Sequence, residues 1–297
     1  MIKKSIYSIF RQGSKTMFYS SIFFPKKVRQ DLFVLYGFVR TADDLVDSPF
    51  QDNEKFYNFR KKYEIAQSGI TTGDDVIDYF VELEQRKNFD PKWTEAFLDS
   101  MEMDLTKKTY ETLDEVLEYV YGAAEVMGLY MVNLLNLDKK AFLYSRYLGR
   151  ALQCINAIRD IAEDNELGRS YLPLSDLEQY DLKSLDYNYT KQHPQQFSEF
   201  IKAQISRYCY WQEIAEKGYK YVPKRYIISV KTVSDMYYWT AQQILKNPYI
   251  VYDIKVKPQI SKIITTVLEN IIDPTVKQNT WCPCILPPQP QLQLMKI

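Results

Sequence analysis

Four aspartates form two pairs at helical spacing, and they are the residues of this chain best suited to chemistry. Asp43 and Asp47 form the first pair, and Asp160 and Asp164 form the second. Each pair lies in a segment apolar enough to be buried, where a carboxylate rarely occurs without a partner. Like charges at this spacing also destabilise an isolated helix slightly. A cation bound between two facing helices would account for both pairs.

Polar residues around each pair share one face of a predicted helix. In residues 31–47, a face roughly 60° wide carries Tyr36, Arg40, Asp43 and Asp47. In residues 148–164, a face roughly 80° wide carries Gln153, Asn156, Asp160 and Asp164. The other faces are almost entirely apolar, which predicts that both helices are largely buried.

Acidic residues four apart usually mark a solvated helix face. Here the apolar flanks, an arginine beside each pair (Arg40 and Arg159) and the repetition of the design favour a site instead. Oxygen ligands suit hard cations, and Mg²⁺ typically takes one or two carboxylates plus substrate phosphate and water. The sequence therefore predicts that Asp43, Asp47, Asp160 and Asp164 bind Mg²⁺, with Mn²⁺ as an alternative.

The composition favours an all-α protein. The chain has 297 residues, of which 46% are hydrophobic and only nine are glycine, and no proline interrupts residues 92–172. Its 38 basic residues balance 38 acidic ones, which argues against nucleic acid as a partner. We find no signal peptide and no run of eighteen apolar residues, and the four cysteines lack zinc-type spacing, so we expect a cytoplasmic protein.

Helix signals cover most of the chain. The predicted helices span 27–47, 53–67, 76–86, 91–107, 113–135, 139–164, 194–221, 223–245 and 258–272. We expect one helical domain over residues 1–275 and a proline-rich tail over 276–297, which contains Cys282 and Cys284. The single histidine, His193, lies in a polar connection, which excludes histidine-based triads.

A cavity that holds Mg²⁺ between facing acidic clusters suits a substrate whose leaving group is diphosphate. The metal would neutralise the charge that develops as the carbon–oxygen bond breaks. Cationic candidates for holding the diphosphate are Lys15, Arg40, Arg159 and Arg169. The allylic carbocation that remains must be shielded from water and stabilised by aromatic rings.

Several segments together resemble the trans head-to-head prenyl synthases, which comprise phytoene, squalene and dehydrosqualene synthases. The resemblance covers roughly residues 7–245 and is carried by segments 14–17, 36–47, 101–105, 119–123, 153–164 and 168–173. The most specific is Gln153-Cys-Ile-Asn-Ala-Ile-Arg-Asp-Ile-Ala-Glu-Asp164, followed by Gly168-Arg-Ser-Tyr-Leu-Pro173. The resemblance implies a single-domain isoprenoid-synthase bundle of helices around a central cavity.

The resemblance also implies roles for individual residues. It makes the four aspartates Mg²⁺ ligands, with Asn156 beside them. It implies diphosphate contacts for Ser14, Lys15, Arg40, Arg159, Arg169 and Tyr237. It implies reaction-cavity or catalytic positions for Tyr36, Arg40, Gln153, Asn156 and Tyr171, with Ser14 also lining the cavity. One departure is Glu125, which stands where many relatives have a small residue, so helix packing and cavity width are open at this position.

Members of this family join two prenyl diphosphates through a cyclopropylcarbinyl diphosphate. Two C20 substrates would give phytoene, which we favour, while squalene or dehydrosqualene formation from two farnesyl diphosphates is the alternative. Squalene formation needs NADPH, and no Gly-x-Gly-x-x-Gly loop is present. Head-to-tail synthases and terpene cyclases fit the second motif poorly, and a non-catalytic assembly factor should have lost the aspartates. The hydrophobic product makes peripheral membrane association plausible, although no amphipathic anchor stands out.

Overall fold

Sixteen α-helices form the part of the chain that the structure describes. The computed structural model describes residues 4–47 and 52–273, and these contain no β-strand. The helices are α1 (Lys4–Gly13), α2 (Lys15–Ser20), α3 (Lys26–Val46), α4 (Asn53–Gln67), α5 (Asp75–Lys87), α6 (Pro91–Thr106), α7 (Leu113–Val120), α8 (Val126–Leu134), α9 (Ala141–Arg159), α10 (Ile161–Glu166), α11 (Leu174–Gln179), α12 (Tyr187–Gln192), α13 (Pro194–Glu216), α14 (Lys224–Lys246), α15 (Ile250–Asp253) and α16 (Ile260–Ile272). The predicted all-α fold is confirmed. The predicted tail, with Cys282 and Cys284, lies outside the described residues.

Local signals placed most ends of the nine predicted helices within two residues, whereas the shorter helices α1, α2, α11, α12 and α15 were not predicted. The Asp52 side chain accepts a hydrogen bond from the Lys55 amide and caps α4, which has the predicted bounds. Pro91 occupies the first turn of α6, and the Thr112 side chain accepts from the Glu115 amide at the start of α7. The predicted helix over 194–221 is too long, because α13 ends at Glu216 and a 3₁₀ turn follows.

The predicted helix over 113–135 contains a π-helical segment, Tyr121–Glu125, between α7 and α8. A π segment inserts an extra residue into a helix and redirects the side chains around it. This segment packs against α6 and α9. The contact with α9 is close: a Cβ added at Gly149 would lie 2.3 Å from the Ala124 carbonyl oxygen, so glycine is required there.

The predicted continuous helix over 139–164 is wrong at Asp160, where α9 ends and α10 begins. Asp160 leaves helical geometry, with φ −98° and ψ 14°. The Arg159 guanidinium binds both carboxylate oxygens of this adjacent residue. On a regular helix, the side chains of neighbouring residues point about 100° apart and do not face each other. The two hydrogen bonds between Arg159 and Asp160 therefore accompany the break in the helix.

The described residues form two large apolar cores and two smaller ones. The first large core is built mainly by α3 to α6 and α8, and the second mainly by α9, α13 and α14. Helices α2, α3, α8, α9, α13 and α14 line a cavity of about 280 Å³ whose wall is almost entirely apolar. Its lining includes Tyr36 and Val39 on α3 and Leu152 on α9. Because Asp43 and Asn156 each lie four positions beyond a lining residue, the cavity leads toward the acidic motifs.

Candidate active site

The first acidic motif lies at the C-terminal end of α3. Tyr36, Arg40 and Asp43 are on this helix, and Asp47 is its C-cap residue. Arg40 Nη1 donates to Asp43 Oδ2 over 3.2 Å, and the same guanidinium also pairs with Asp44. The arginine predicted to bind diphosphate therefore lies directly against an acid predicted to bind metal.

The second acidic motif lies where α9 meets α10. Arg159 Nε donates to Asp160 Oδ1 over 2.8 Å. Lys255, on the segment before α16, approaches the same carboxylate at 3.4 Å and also pairs with Glu163. This end of the site therefore combines acidic and basic side chains from three elements.

Arg169 connects the two motifs. Its Nε donates to Asp164 Oδ1 over 2.9 Å, and its Nη2 donates to Asp47 on the other motif. Gly168 makes the turn that brings Arg169 back onto α10, because its φ of +66° lies in the left-handed region that favours glycine. The Arg169 amide also donates to the Asp164 carbonyl over 2.9 Å. The fold thus brings together two motifs that lie more than a hundred residues apart.

Burial raises the pKa of Asp43 and of Asp164. Desolvation, followed by the neighbouring Asp47 carboxylate, raises the pKa of Asp43 to about 6. Desolvation also raises the pKa of Asp164 to about 6, although Arg169 opposes this shift. Both carboxylates therefore lack part of the positive charge that would stabilise them as anions.

The donor set fits Mg²⁺ in chemistry, while the arrangement pairs the acids with basic side chains. Among the described residues, no group of three or more His, Cys, Asp or Glu side chains is arranged to hold a metal ion. Asn156 Nδ2 donates to Gln153 Oε1 over 3.3 Å, whereas Asn156 Oδ1 is buried without a partner in the described chain. A buried amide oxygen beside carboxylates is a ligand type that Mg²⁺ accepts.

Tyr171 belongs to a buried network behind Arg169. Its hydroxyl donates to Asp104 Oδ1 over 2.6 Å, and the Tyr119 hydroxyl donates to Asp104 Oδ2 over 3.1 Å. The Arg169 guanidinium lies 5.2 Å from the centre of the Tyr171 ring. Desolvation raises the pKa of Asp104 to about 7. The network supports the arginine that joins the two motifs.

The remaining residues predicted to contact diphosphate are Ser14, Lys15 and Tyr237. The Ser14 side chain caps α2 by accepting from the Met17 amide, and Met17 lines the cavity. The side chain of Lys15 lies outside the described part of the chain. Tyr237 on α14 interacts electrostatically with both Tyr36 and Arg159, which places it between the two motifs.

Four residues of the site or its support were not among the predicted ones. Asp104 and Tyr119 lie in segments 101–105 and 119–123, which the resemblance had included without assigning them roles. Lys255 and Lys257 belong to none of the motifs found in the sequence. Burial lowers the pKa of Lys257, as do the positive charges of Lys255 and Arg159. Only the folded chain shows that these lysines face the second motif.

Comparison with known proteins places this architecture in a family. The profile of the squalene/phytoene synthases matches residues 10–263. The chain belongs to the squalene/phytoene synthase family. It is 30% identical to a 15-cis-phytoene synthase of Pantoea ananas over 187 residues, which are 59% of this chain and 60% of that protein. It is 28% identical to the 15-cis-phytoene synthase of Synechocystis over 264 residues, or 82% and 76% of the two chains.

A solved structure shows the same fold as this squalene/phytoene synthase family member. A dehydrosqualene synthase in complex with a ligand superposes with a TM-score of 0.78, at 20% identity, over 90% of this chain and 95% of that one. The bundle is therefore an isoprenoid-synthase fold, as the resemblance implied. In several phytoene synthase relatives, the match spans between 54% and 60% of their own length.

Glu125, the departure noted in the sequence, has a clear structural role in this family member. It is 1% exposed at the end of the π segment. Arg146 Nε donates to its Oε2 over 2.8 Å, and Arg150 Nε donates to its Oε1 over 2.6 Å. Both arginines are on α9, so the buried carboxylate ties the π segment to the helix that carries the second motif.

Proposed function

We propose that this protein is a prenyltransferase that condenses two allylic prenyl diphosphates head to head. We favour two geranylgeranyl diphosphates as substrates and phytoene as the product, formed through prephytoene diphosphate with release of diphosphate. The observation that supports this proposal is that α3 and α9, which line an apolar cavity, also carry paired acidic and basic side chains at their C-terminal ends. A prenyl diphosphate has the same division, with a charged head and a hydrocarbon tail.

Arg40, Arg159 and Arg169 are suited to hold the diphosphate, with Lys15, Ser14 and Tyr237 as further contacts. When the carbon–oxygen bond of the first substrate breaks, its electron pair leaves with the diphosphate, and these cations stabilise that charge. Bound Mg²⁺, held by Asp43, Asp47, Asp160 and Asp164, would supply further Lewis-acid stabilisation of the leaving group. Arg169 would then exchange carboxylate partners for diphosphate oxygens.

The rest of the reaction needs an environment without water. The second substrate's double bond attacks the allylic cation, and loss of a proton closes the cyclopropane ring. Ionisation of that intermediate, rearrangement and a second proton loss give phytoene. The apolar wall would exclude water from the cations, while Tyr36, Gln153, Asn156 and Tyr171 would orient the reacting ends.

The test is to incubate the protein and Mg²⁺ with geranylgeranyl or farnesyl diphosphate, with and without NADPH, and to analyse the hydrocarbons by mass spectrometry. We expect a C40 hydrocarbon and diphosphate without NADPH. A C30 product would instead support dehydrosqualene synthase activity, and an NADPH-dependent C30 product would support squalene synthase activity. Release of no diphosphate from either substrate would contradict the proposal and favour a non-catalytic role for this fold.

A further inference from the structure

The hydroxyl group of Tyr36, on α3, lies against the last residue of α1, which is Gly13. A Cβ atom added at Gly13 would lie 2.8 Å from Tyr36 Cε1 and 3.0 Å from Cζ, and closer still to the hydroxyl oxygen. Non-bonded carbon atoms prefer separations of about 3.5–4.0 Å. The missing side chain of Gly13 is therefore what lets α1 and the Tyr36 hydroxyl meet.

Tyr36 occupies the junction between the apolar cavity and the first acidic motif. Its side chain lines the cavity, one helical turn before Arg40 on the same face of α3. The charges of Arg40 and Asp43 both act on the Tyr36 phenol, as does Tyr237 on α14. The position of this ring therefore affects the place where the head and the tail of a prenyl diphosphate would meet.

The Tyr36 ring is packed on the side that faces α1. The Phe10 ring meets it edge to face, with ring centres 4.6 Å apart and planes at 73°. Phe10 is fully buried and packs in turn on Phe33, with ring centres 4.9 Å apart. Phe10 and Gly13 thus close one side of the Tyr36 ring, and the cavity is its open side. A group added at Gly13 would push the ring toward the cavity.

Helix α1 is fixed in place by its own packing. Ile6 and Phe10 are fully buried, and α1 approaches α3 so closely that a Cβ at Gly37 would lie 3.4 Å from Ile6 Cγ2. No helix of the described chain, α1 included, is long and apolar enough to cross a membrane. The family profile begins at residue 10, so Ile6 lies outside the part of the chain that it matches. Because α1 is anchored, Gly13 does not move away from Tyr36.

The backbone of Gly13 does not itself require glycine. The described glycines with positive φ are Gly69, Gly73 and Gly168, so alanine is able to adopt the conformation of Gly13. Glycine is also a poorer helix former than alanine. The space that Gly13 leaves beside Tyr36 is then the physical reason for glycine at this position.

We propose that Gly13 is a positioning residue, which by lacking a side chain sets the place of the Tyr36 hydroxyl at the junction of the cavity and the first motif. This inference rests on the proposed function, in which Tyr36 orients the reacting ends of the two substrates. Gly13 acts only through Tyr36. Its replacement should therefore change turnover through the position of one ring and leave the rest of the site intact.

The first measurement is the rate of diphosphate release from geranylgeranyl diphosphate by Gly13→Ala. We expect kcat to fall about tenfold or more, because small displacements of an orienting group have large effects on rate. KM should change less than kcat, since Arg40, Arg159 and Arg169 are untouched. Gln12→Ala is the matched control, because Gln12 is the exposed neighbour on α1 and should leave the rate unchanged. Circular dichroism confirms that each variant folds.

A double-mutant cycle tests whether Gly13 acts through the hydroxyl. Tyr36→Phe removes the atom closest to the added Cβ, and by itself it should lower kcat. In that background, Gly13→Ala should lower kcat by no more than about twofold further, because the two changes affect the same group. An equal loss from Gly13→Ala in both backgrounds would show that Gly13 acts independently of Tyr36 and would overturn the proposal.

Nuclear magnetic resonance of the ligand-free full chain tests the geometry without turnover. With tyrosine rings labelled with carbon-13, the Tyr36 signal is the one missing from Tyr36→Phe. We expect it to shift in Gly13→Ala and to stay in place in Gln12→Ala. An unshifted signal in Gly13→Ala, or a wild-type kcat in that variant, would overturn the inference. Failure of the wild type to release diphosphate would contradict the proposed function, while the Tyr36 signal would still support or overturn the placement by Gly13.

Discussion

Arg169 forms an ion pair with Asp47, a residue 122 positions earlier in the chain. Through its second contact, with Asp164, this arginine connects the end of α3 to α10. The two acidic motifs are therefore held at a fixed separation by a basic side chain. Arg169 is 10% exposed, and its contacts offset the charges of Asp47 and Asp164, one acid from each motif.

Replacing Arg169 should destabilise the metal-free protein. The Arg169–Asp164 pair has side-chain exposures of 10% and 8%, so Arg169→Gln leaves a buried carboxylate without its counter-charge. We expect the free energy of unfolding to fall by about 3 kcal/mol, measured by urea unfolding in EDTA. Arg60→Gln is the control, because Arg60 pairs with the exposed Asp99 and the partly exposed Glu102, and its loss should cost only about 1 kcal/mol. Equal losses in both variants would contradict this role for Arg169.

Neutralising one acid of either pair should stop the reaction without unfolding the protein. Asp43→Asn and Asp160→Asn keep the side-chain volume but remove a charge proposed to bind metal. We expect diphosphate release to fall about 100-fold or more in each. Asp99→Asn, an exposed acid on α6, should retain the wild-type rate. Wild-type rates in Asp43→Asn or Asp160→Asn, with circular dichroism unchanged, would refute the metal assignment.

Asp104 should make stability depend on pH. Its pKa is about 7 in the folded protein and about 4 in the unfolded chain, because burial disfavours the carboxylate. Between these values the folded state binds more protons than the unfolded state. The free energy of unfolding therefore falls as pH rises from 4 to 7. We expect Asp104→Asn to remove a decrease in the free energy of unfolding on the order of 4 kcal/mol, measured by urea unfolding across this range. An unchanged pH dependence in the variant would contradict this prediction.

Glu125 should be essential for packing. Glu125→Gln leaves Arg146 and Arg150 without their shared buried counter-charge, and we expect a loss of about 3–5 kcal/mol in the free energy of unfolding. Glu118→Gln, on the exposed face of α7, should change it by no more than about 0.5 kcal/mol. Thermal unfolding monitored by circular dichroism gives both values. A small effect at Glu125 would show that the π segment does not depend on the ion pairs.

The far end of the cavity should limit substrate length. Ala141 lines the cavity at the start of α9, about 28 Å along the helix from Asp160. Ala141→Phe should reduce turnover of geranylgeranyl diphosphate at least tenfold relative to farnesyl diphosphate, as measured by competition between the two substrates. Ala141→Leu should give a smaller change in the same direction. Leu143→Phe, on the exposed side of α9, should leave the ratio unchanged.

The sequence alone was sufficient for the all-α fold and for most ends of the nine longer helices, because these depend on local signals such as the Asp52 cap and Pro91. It also identified both acidic motifs, since a carboxylate among apolar residues is visible in a single helix. It did not predict the five short helices α1, α2, α11, α12 and α15. It could not show the break at Asp160, which accompanies a side-chain contact between neighbouring residues. A helical pattern continues unchanged across such a break.

Tertiary structure decided which charges meet. Arg169 contacts Asp47, Tyr171 contacts Asp104, and Lys255 contacts Asp160 only after segments distant in sequence pack together. Packing also decided which face of α16 is buried, since both faces carry aliphatic residues and periodicity alone does not distinguish them. The physical reason is the same in each case: local sequence sets helix formation, whereas pairing and exposure depend on contacts between distant segments.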